Sequence, residues 1–114
     1  MSEYRIRRQT CRGIDYAEVR LEISTSQVGG VFYSNVPQHV FPDGRYLACI
    51  EKGVWAAFDS LNKDRQNYSV QLISATDLSG ESAPASFQFC AEGAVCVYFG
   101  REDVAPSRGY NVEP

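Results

Sequence analysis

The chain is poor in the residues from which active sites are usually built. It has a single histidine, His39, and its four cysteines, Cys11, Cys49, Cys90 and Cys96, show no C-x-x-C spacing. Without paired thiols, or a histidine beside a cysteine or carboxylate cluster, neither a zinc site nor a thiol–disulfide centre is predicted. The cysteines are expected to be reduced thiols, two of them on apolar helix faces, where free cysteine behaves as a small hydrophobe. A catalytic Cys–His pair would need a thiol within hydrogen-bond reach of His39, and no spacing places one there. A lone loop histidine is a structural or exposed residue, so no catalytic role is assigned to it. Glu18 and Glu22 flank Arg20 on one strand face, a charge ladder rather than a cation site. There is no G-x-x-x-x-G-K-[ST] to cradle phosphates and no G-x-S-x-G elbow around Ser79 and Gly80. No cofactor, no metal and no nucleotide are expected, and the chain is not read as an enzyme. There is also no run of eighteen apolar residues and no basic-then-apolar start. This predicts no membrane association and a cytoplasmic location.

What is present is enough for one domain. A chain of 114 residues can bury roughly 65 % of its unfolded surface without disulfides or metals. Its charge is unevenly placed. Residues 1–13 hold Arg5, Arg7, Arg8 and Arg12 against Glu3, a local +3 within a chain of net −3, which leaves −6 elsewhere. A basic strand end of this kind is the electrostatic footprint of a nucleic-acid contact. The plainer reading is a solvated edge strand whose charges discourage strand-to-strand aggregation.

Tyr4–Cys11 and Tyr16–Ser24 read as two strands joined by the loop Arg12-Gly13-Ile14-Asp15, and are expected to pair antiparallel. The second alternates Tyr16, Glu18 and Arg20, read as the inward series, with Ala17, Val19, Leu21 and Ile23. Gly29-Gly30 opens a third extended segment, Val31–Val36, which Pro37 ends. Residues Phe41–Leu61 then predict a helix. Pro42 and Asp43 suit its entrance, and Leu47, Ile50, Val54, Phe58 and Leu61 gather on one face at steps of three and four. Gly53 inside it costs up to about 1 kcal/mol against alanine, so the helix is expected to lie close against a sheet or another helix there. A polar turn, Asn62–Asn67, leads to a strand at Tyr68–Thr76.

The loop Asp77–Ser82 precedes a second helix, about Pro84–Phe99, with Ser82 as a cap. Its stripe is Phe87, Cys90, Ala91, Ala94, Val95 and Tyr98, with Gly93 inside. The tail, residues 101–114, contains Pro106, Gly109 and Pro114 and reads as an extended or partly ordered segment after a single domain at 1–100. The order is βββαβα.

Several strings along this order resemble the fourth domain of the elongation factor G family of translational GTPases. Arg8-Gln9-Thr10, Arg12-Gly13 and Tyr16-Ala17-Glu18-Val19 are similar to that family's R-Q-S, R-G and Y-G-H-V signals around its first tip loop. Tyr46-Leu47-Ala48-Cys49-Ile50-Glu51-Lys52-Gly53 resembles its helix string Y-I-P-A-V-E-K-G. Phe87-Gln88-Phe89-Cys90-Ala91 resembles F-K-I-A-A in its last helix. The resemblance spans residues 4–100 and keeps the family's order. It implies an α+β two-layer sandwich, a four-stranded sheet with two helices on one face and a left-handed βαβ crossover, the ribosomal protein fold of that domain. The left hand comes from the resemblance alone, because right-handed crossovers make up about 98 % of parallel βαβ units. It also implies that both interior glycines mark close helix–sheet contacts.

In the family this domain is a non-catalytic probe that enters the ribosomal decoding region. The resemblance therefore implies association with the ribosome or structured RNA, with Arg5, Arg7, Arg8 and Arg12 meeting phosphate. The tip departs from the family pattern. The loop Cys11–Asp15 has fewer glycines, and Asp77–Ser82 is shorter and holds no histidine or basic residue. Arg12 against Asp15, Asp77 and Glu81 predicts a net negative tip, with both loops at one end of the sheet. A second reading is a protein-interaction or self-association module that has lost contact with RNA, its partner another protein or a second copy. Tyr4, Tyr16, Phe32, Tyr33, Trp55 and Tyr110 exceed what a core of this size accommodates, and exposed aromatics anchor interfaces. Trp55, off the centre of the first helix's stripe, and Tyr33 are the candidate interface residues. The opposing reading has Trp55 wrapped by the loop after the helix.

Overall fold

A computed structural model describes residues 2–10, 13–27, 29–36, 44–76, 84–101 and 111–113. The elements are β1 (Ser2–Thr10), β2 (Gly13–Thr25), β3 (Val31–Ser34), α1 (Gly44–Ser60), β4 (Tyr68–Thr76), α2 (Pro84–Tyr98) and β5 (Asn111–Glu113), with a single 3₁₀ turn at Arg65–Asn67. The α+β class is as expected from the sequence, and so is the order βββαβα through α2, to which β5 is added. The expected helix entrance at Phe41–Asp43 and the Ser82 cap lie outside the described residues.

One sheet holds all five strands in the order β3-β4-β2-β1-β5. β3 and β4 run parallel, joined through α1, and every other pair is antiparallel. The fifth strand corrects the expectation of four. Asn111-Val112-Glu113 is too short to carry a periodicity signal, and it becomes a strand by pairing with Arg5–Arg7 of β1. β1 is thereby flanked on both sides over Arg5–Arg7, which removes the edge-defence reading for Arg5 and Arg7.

The core sits on one face of the sheet. Leu21 of β2 opposes Leu72 of β4, Ile23 opposes Val70, and Val19 opposes Ala75. All six are buried. The inward series of β2 is therefore Val19, Leu21 and Ile23, opposite to the Tyr16, Glu18, Arg20 series expected, because burying Glu18 and Arg20 would cost their solvation. Strict alternation along β4 would follow Leu72 with Ser74 on the core face. A bulge between Arg20 and Leu21 shifts the register so that Ala75 takes that place.

Both helices close over this face. Ile50, Val54 and Phe58 of α1 are fully buried, with Leu47 and Leu61 packed at the margin. α2 lies against α1, β2 and β1. Phe87, Cys90, Ala91, Ala94 and Val95 of its stripe are fully buried, and Cys96 nearly so. Gly53 meets the Gln88 backbone of α2, so the close contact expected there is helix on helix, where the resemblance implied helix on sheet. Cys49, Cys90 and Cys96 are free thiols; Cys11 lies outside the described residues.

Both helices end in the same way. Asn62 takes φ 56°, its N–H donates to Asp59, and Lys63 N–H donates to Phe58. Gly100 takes φ 69°, its N–H donates to Val97, and Arg101 N–H donates to Cys96. These are two Schellman caps, each with a basic residue directly after the left-handed position, at the negative end of the helix dipole. Phe58 and Phe99 stack edge to face at 5.4 Å, which brings the two helix ends together. Among the described residues, no helix is long and apolar enough to cross a membrane.

Candidate functional site

β1 sets the positions of the arginines. Arg5 is registered against Glu18 of β2 and Glu113 of β5, and Arg7 against Tyr16 and Asn111. Arg8 is registered against Asp15. Along β1, Arg5 and Arg7 thus hold register positions two residues apart, and Arg8 the next position after Arg7. Arg12 lies outside the described residues. The row Glu113, Arg5, Glu18 alternates in charge across three strands, an arrangement that favours cross-strand pairing.

The two connections expected to form a tip leave from one end of the sheet. β2 begins at Gly13, β4 ends at Thr76, and Thr76 is registered against Glu18 in an antiparallel pair. The exits of both loops therefore lie on the same side, as the resemblance implied. The loop residues themselves, 11–12 and 77–83, lie outside the described residues.

At the opposite end, Trp55 is 8 % exposed and belongs to the core. This corrects the expectation of a partly exposed indole. Its ring meets Phe58 at 5.3 Å, its Nε1–H donates to Glu51 Oε2 at 3.3 Å, and the Arg65 guanidinium lies 5.1 Å from the ring centroid. Arg65 also pairs with Asp59 at 3.3 Å. The segment after α1 folds back and covers the tryptophan, which leaves little of the ring for a partner. Lys63 stands 5.1 Å over Phe99 in the same manner. Sequence reasoning passed over Glu51 and Arg65; the Glu51–Trp55 spacing of four residues was the available signal for the first.

Tyr33 is 48 % exposed and Val31 44 %. Both lie on β3, and Phe32 between them packs against the core. Of the six surplus aromatics, Tyr33 is thus exposed, while Phe32 and Trp55 serve the interior. The side chains of Tyr4, Tyr16 and Tyr110 lie outside the described set.

No group of histidines, cysteines and carboxylates able to hold a metal occurs among the described residues; His39 lies outside them. An open groove of about 310 Å³ runs between Thr25, Ser26, Gln27, Asn67 and Tyr68. It is lined by hydroxyl, amide and phenol groups, with no carboxylate, amine or thiol to act as base or nucleophile.

No protein-family model matches the chain. No curated protein matches it either. Among solved structures, a protein of Thermus thermophilus is similar over 96 % of this chain, with a TM-score of 0.69 and 18 % identity. The chain spans only 16 % of the length of that protein. At this identity the likeness concerns the fold.

Proposed function

We infer that this domain is a non-catalytic binding module of the elongation factor G domain IV type, associating with the ribosome or structured RNA. The observation that carries the reading is the placement of the resembling strings. Arg8-Gln9-Thr10 closes β1, Arg12-Gly13 joins β1 to β2, and Tyr16–Val19 continues β2. Tyr46–Gly53 falls in α1, and Phe87–Ala91 falls in α2. Each string occupies the kind of element that it occupies in the family. The order of the first four strands, β3-β4-β2-β1, suits the family's sheet, with β5 as an addition, and on this reading the crossover through α1 is left-handed. A match to a small part of a much longer Thermus chain is compatible with a domain that also occurs inside multidomain proteins.

The contact is electrostatic on this reading, carried mainly by the β1 arginines Arg5, Arg7 and Arg8 with Arg12 contributing little, and it should weaken steeply with salt as phosphate contacts release counterions. Sedimentation with ribosomes at low and high salt tests it. Co-sedimentation at low salt that is lost at high salt is expected; absence of co-sedimentation at low salt overturns it.

A second reading is favoured by one observation, the exposure of Tyr33 on the outermost strand of the sheet. Here the module binds protein, another chain or a second copy, through that edge.

A further inference from the structure

β3 is a bare edge. It is the end strand of the sheet, and its sequence, Val-Phe-Tyr-Ser, has none of the lysines, prolines or inward charges by which edge strands are usually blunted. The Asn35 N–H donates to the Leu72 carbonyl of β4 at 3.0 Å. Backbone groups alternate in direction along an extended strand, so Val31 and Tyr33 turn theirs toward β4, and Phe32 and Ser34 turn theirs outward. The same strand shows two large exposed side chains, Val31 and Tyr33, on the face away from the helices.

Resting on the self-association reading, we propose that β3 pairs antiparallel with β3 of a second copy of this chain, joining two sheets across a two-fold axis. The edge is complementary to itself. With the axis at Tyr33, Phe32 and Ser34 of one copy face Ser34 and Phe32 of the other. Their outward groups close four backbone hydrogen bonds, two in each pair. The two Tyr33 side chains then meet at the narrow, non-hydrogen-bonded position, where an aromatic pair contributes most. Two-fold symmetry ends the assembly at two copies, whereas pairing β3 with β5 would continue as a filament.

Charge selects a second copy over a charged partner. The register rows beside the edge are Val31, Ser69, Ser24 and Tyr33, Gln71, Glu22, so the first charge on that face is Glu22, two strands in. At about 4.8 Å per strand, the two Glu22 residues of a dimer stand roughly 24 Å apart. That is well beyond the Debye length of about 8 Å, so the net charge of −3 does not oppose pairing here. Among the described residues of the edge, 29–36, none is charged, so neither a basic nor an acidic peptide finds a counter-charge there. Four residues of edge bury much less than the standard interface of about 1,600 Å², so the dimer is weak and depends on concentration.

Sedimentation-velocity ultracentrifugation of the full chain over a wide concentration range is the test. The wild type is expected to shift from monomer toward dimer as concentration rises. Tyr33→Lys, which sets two like charges on the axis, is expected to weaken the dimer at least about tenfold, the effect of about 1.4 kcal/mol. Ser34→Pro removes an outward N–H from each copy and is expected to do the same. If that variant does not fold by circular dichroism, Val31→Lys replaces it. Glu22→Gln is expected to leave the dimer unchanged. A dimer insensitive to Tyr33→Lys and Val31→Lys overturns pairing through β3 and leaves self-association standing. A wild type that stays monomeric throughout overturns both.

Discussion

Gly53 of α1 lies directly on the main-chain carbonyl of Gln88 in α2, so close that a Cβ on the glycine would overlap the carbonyl oxygen. Alanine would raise helix propensity by about 1 kcal/mol. The obstacle, however, is backbone in a buried helix, which cannot rotate aside as a side chain can. Forcing the helices apart costs about 1–3 kcal/mol or more, and it would loosen the packing of Val54, Phe58 and Phe87, all fully buried. Gly53→Ala is therefore expected to destabilise the domain by about 1 kcal/mol net, read as a lower urea midpoint at unchanged m-value. A higher midpoint would mean that propensity outweighs the contact.

Helix α1 and strand β4 were legible because their signals are local and periodic. Ile50, Val54 and Phe58 recur at helical steps, and Tyr68–Thr76 is bounded by a polar turn. The two features that escaped depend on partners distant in sequence. β5 exists through pairing with Arg5–Arg7, and the bulge in β4 exists because Ala75 must meet the core face opposite Val19. Trp55 was left between two readings for a related reason, and the structure takes the one in which the following loop wraps it. Its position on a helical wheel says nothing of Arg65, which comes back over the ring from the next turn of chain. The arginine cluster was legible as composition, but the cross-strand neighbours of each arginine follow only from the register of β1.

Asn62 carries the left-handed conformation that ends α1. Asparagine tolerates it, and glycine has no Cβ to strain. Asn62→Gly is expected to be neutral or slightly stabilising. Asn62→Val should cost about 1–2 kcal/mol, the penalty of the left-handed region for an ordinary residue. Thermal denaturation of the two variants side by side checks the sign of the difference.

Arg65 joins α1 to the turn after it by covering Trp55 and pairing with Asp59. The arginine side chain is 40 % exposed and the aspartate 68 %, so solvent screens most of the ion pair. The contact with the indole should then dominate, at about 0.5–1 kcal/mol. Arg65→Ala is expected to lower stability by that amount and to red-shift the emission of the single tryptophan as water reaches it. Asp59→Asn should leave both nearly unchanged. Equal losses for the two variants would assign the effect to the ion pair.

The register of β1 ranks the arginines that the RNA reading invokes. Arg5 stands in a row with Glu18 and Glu113, whereas Arg7 stands with Tyr16 and Asn111. Two acidic residues thus share the row of Arg5 on strands spaced about 4.8 Å apart, inside the Debye length of about 8 Å, which makes that row less attractive to phosphate. No acidic residue occupies the row of Arg7. By sequence the two tip loops carry Arg12 against Asp77 and Glu81, and Asp15, expected in the first of them, stands in β2 in register with Arg8. In ribosome or RNA binding at low salt, Arg7→Ala is therefore expected to weaken association more than Arg5→Ala. It should also flatten the salt dependence by about 0.7–0.9 of a log unit, the yield of one phosphate contact. Arg12→Ala should change little, and Asp77→Lys with Glu81→Lys should strengthen binding. A large loss on Arg12→Ala would instead place the contact at the tip, where the elongation factor G family makes it.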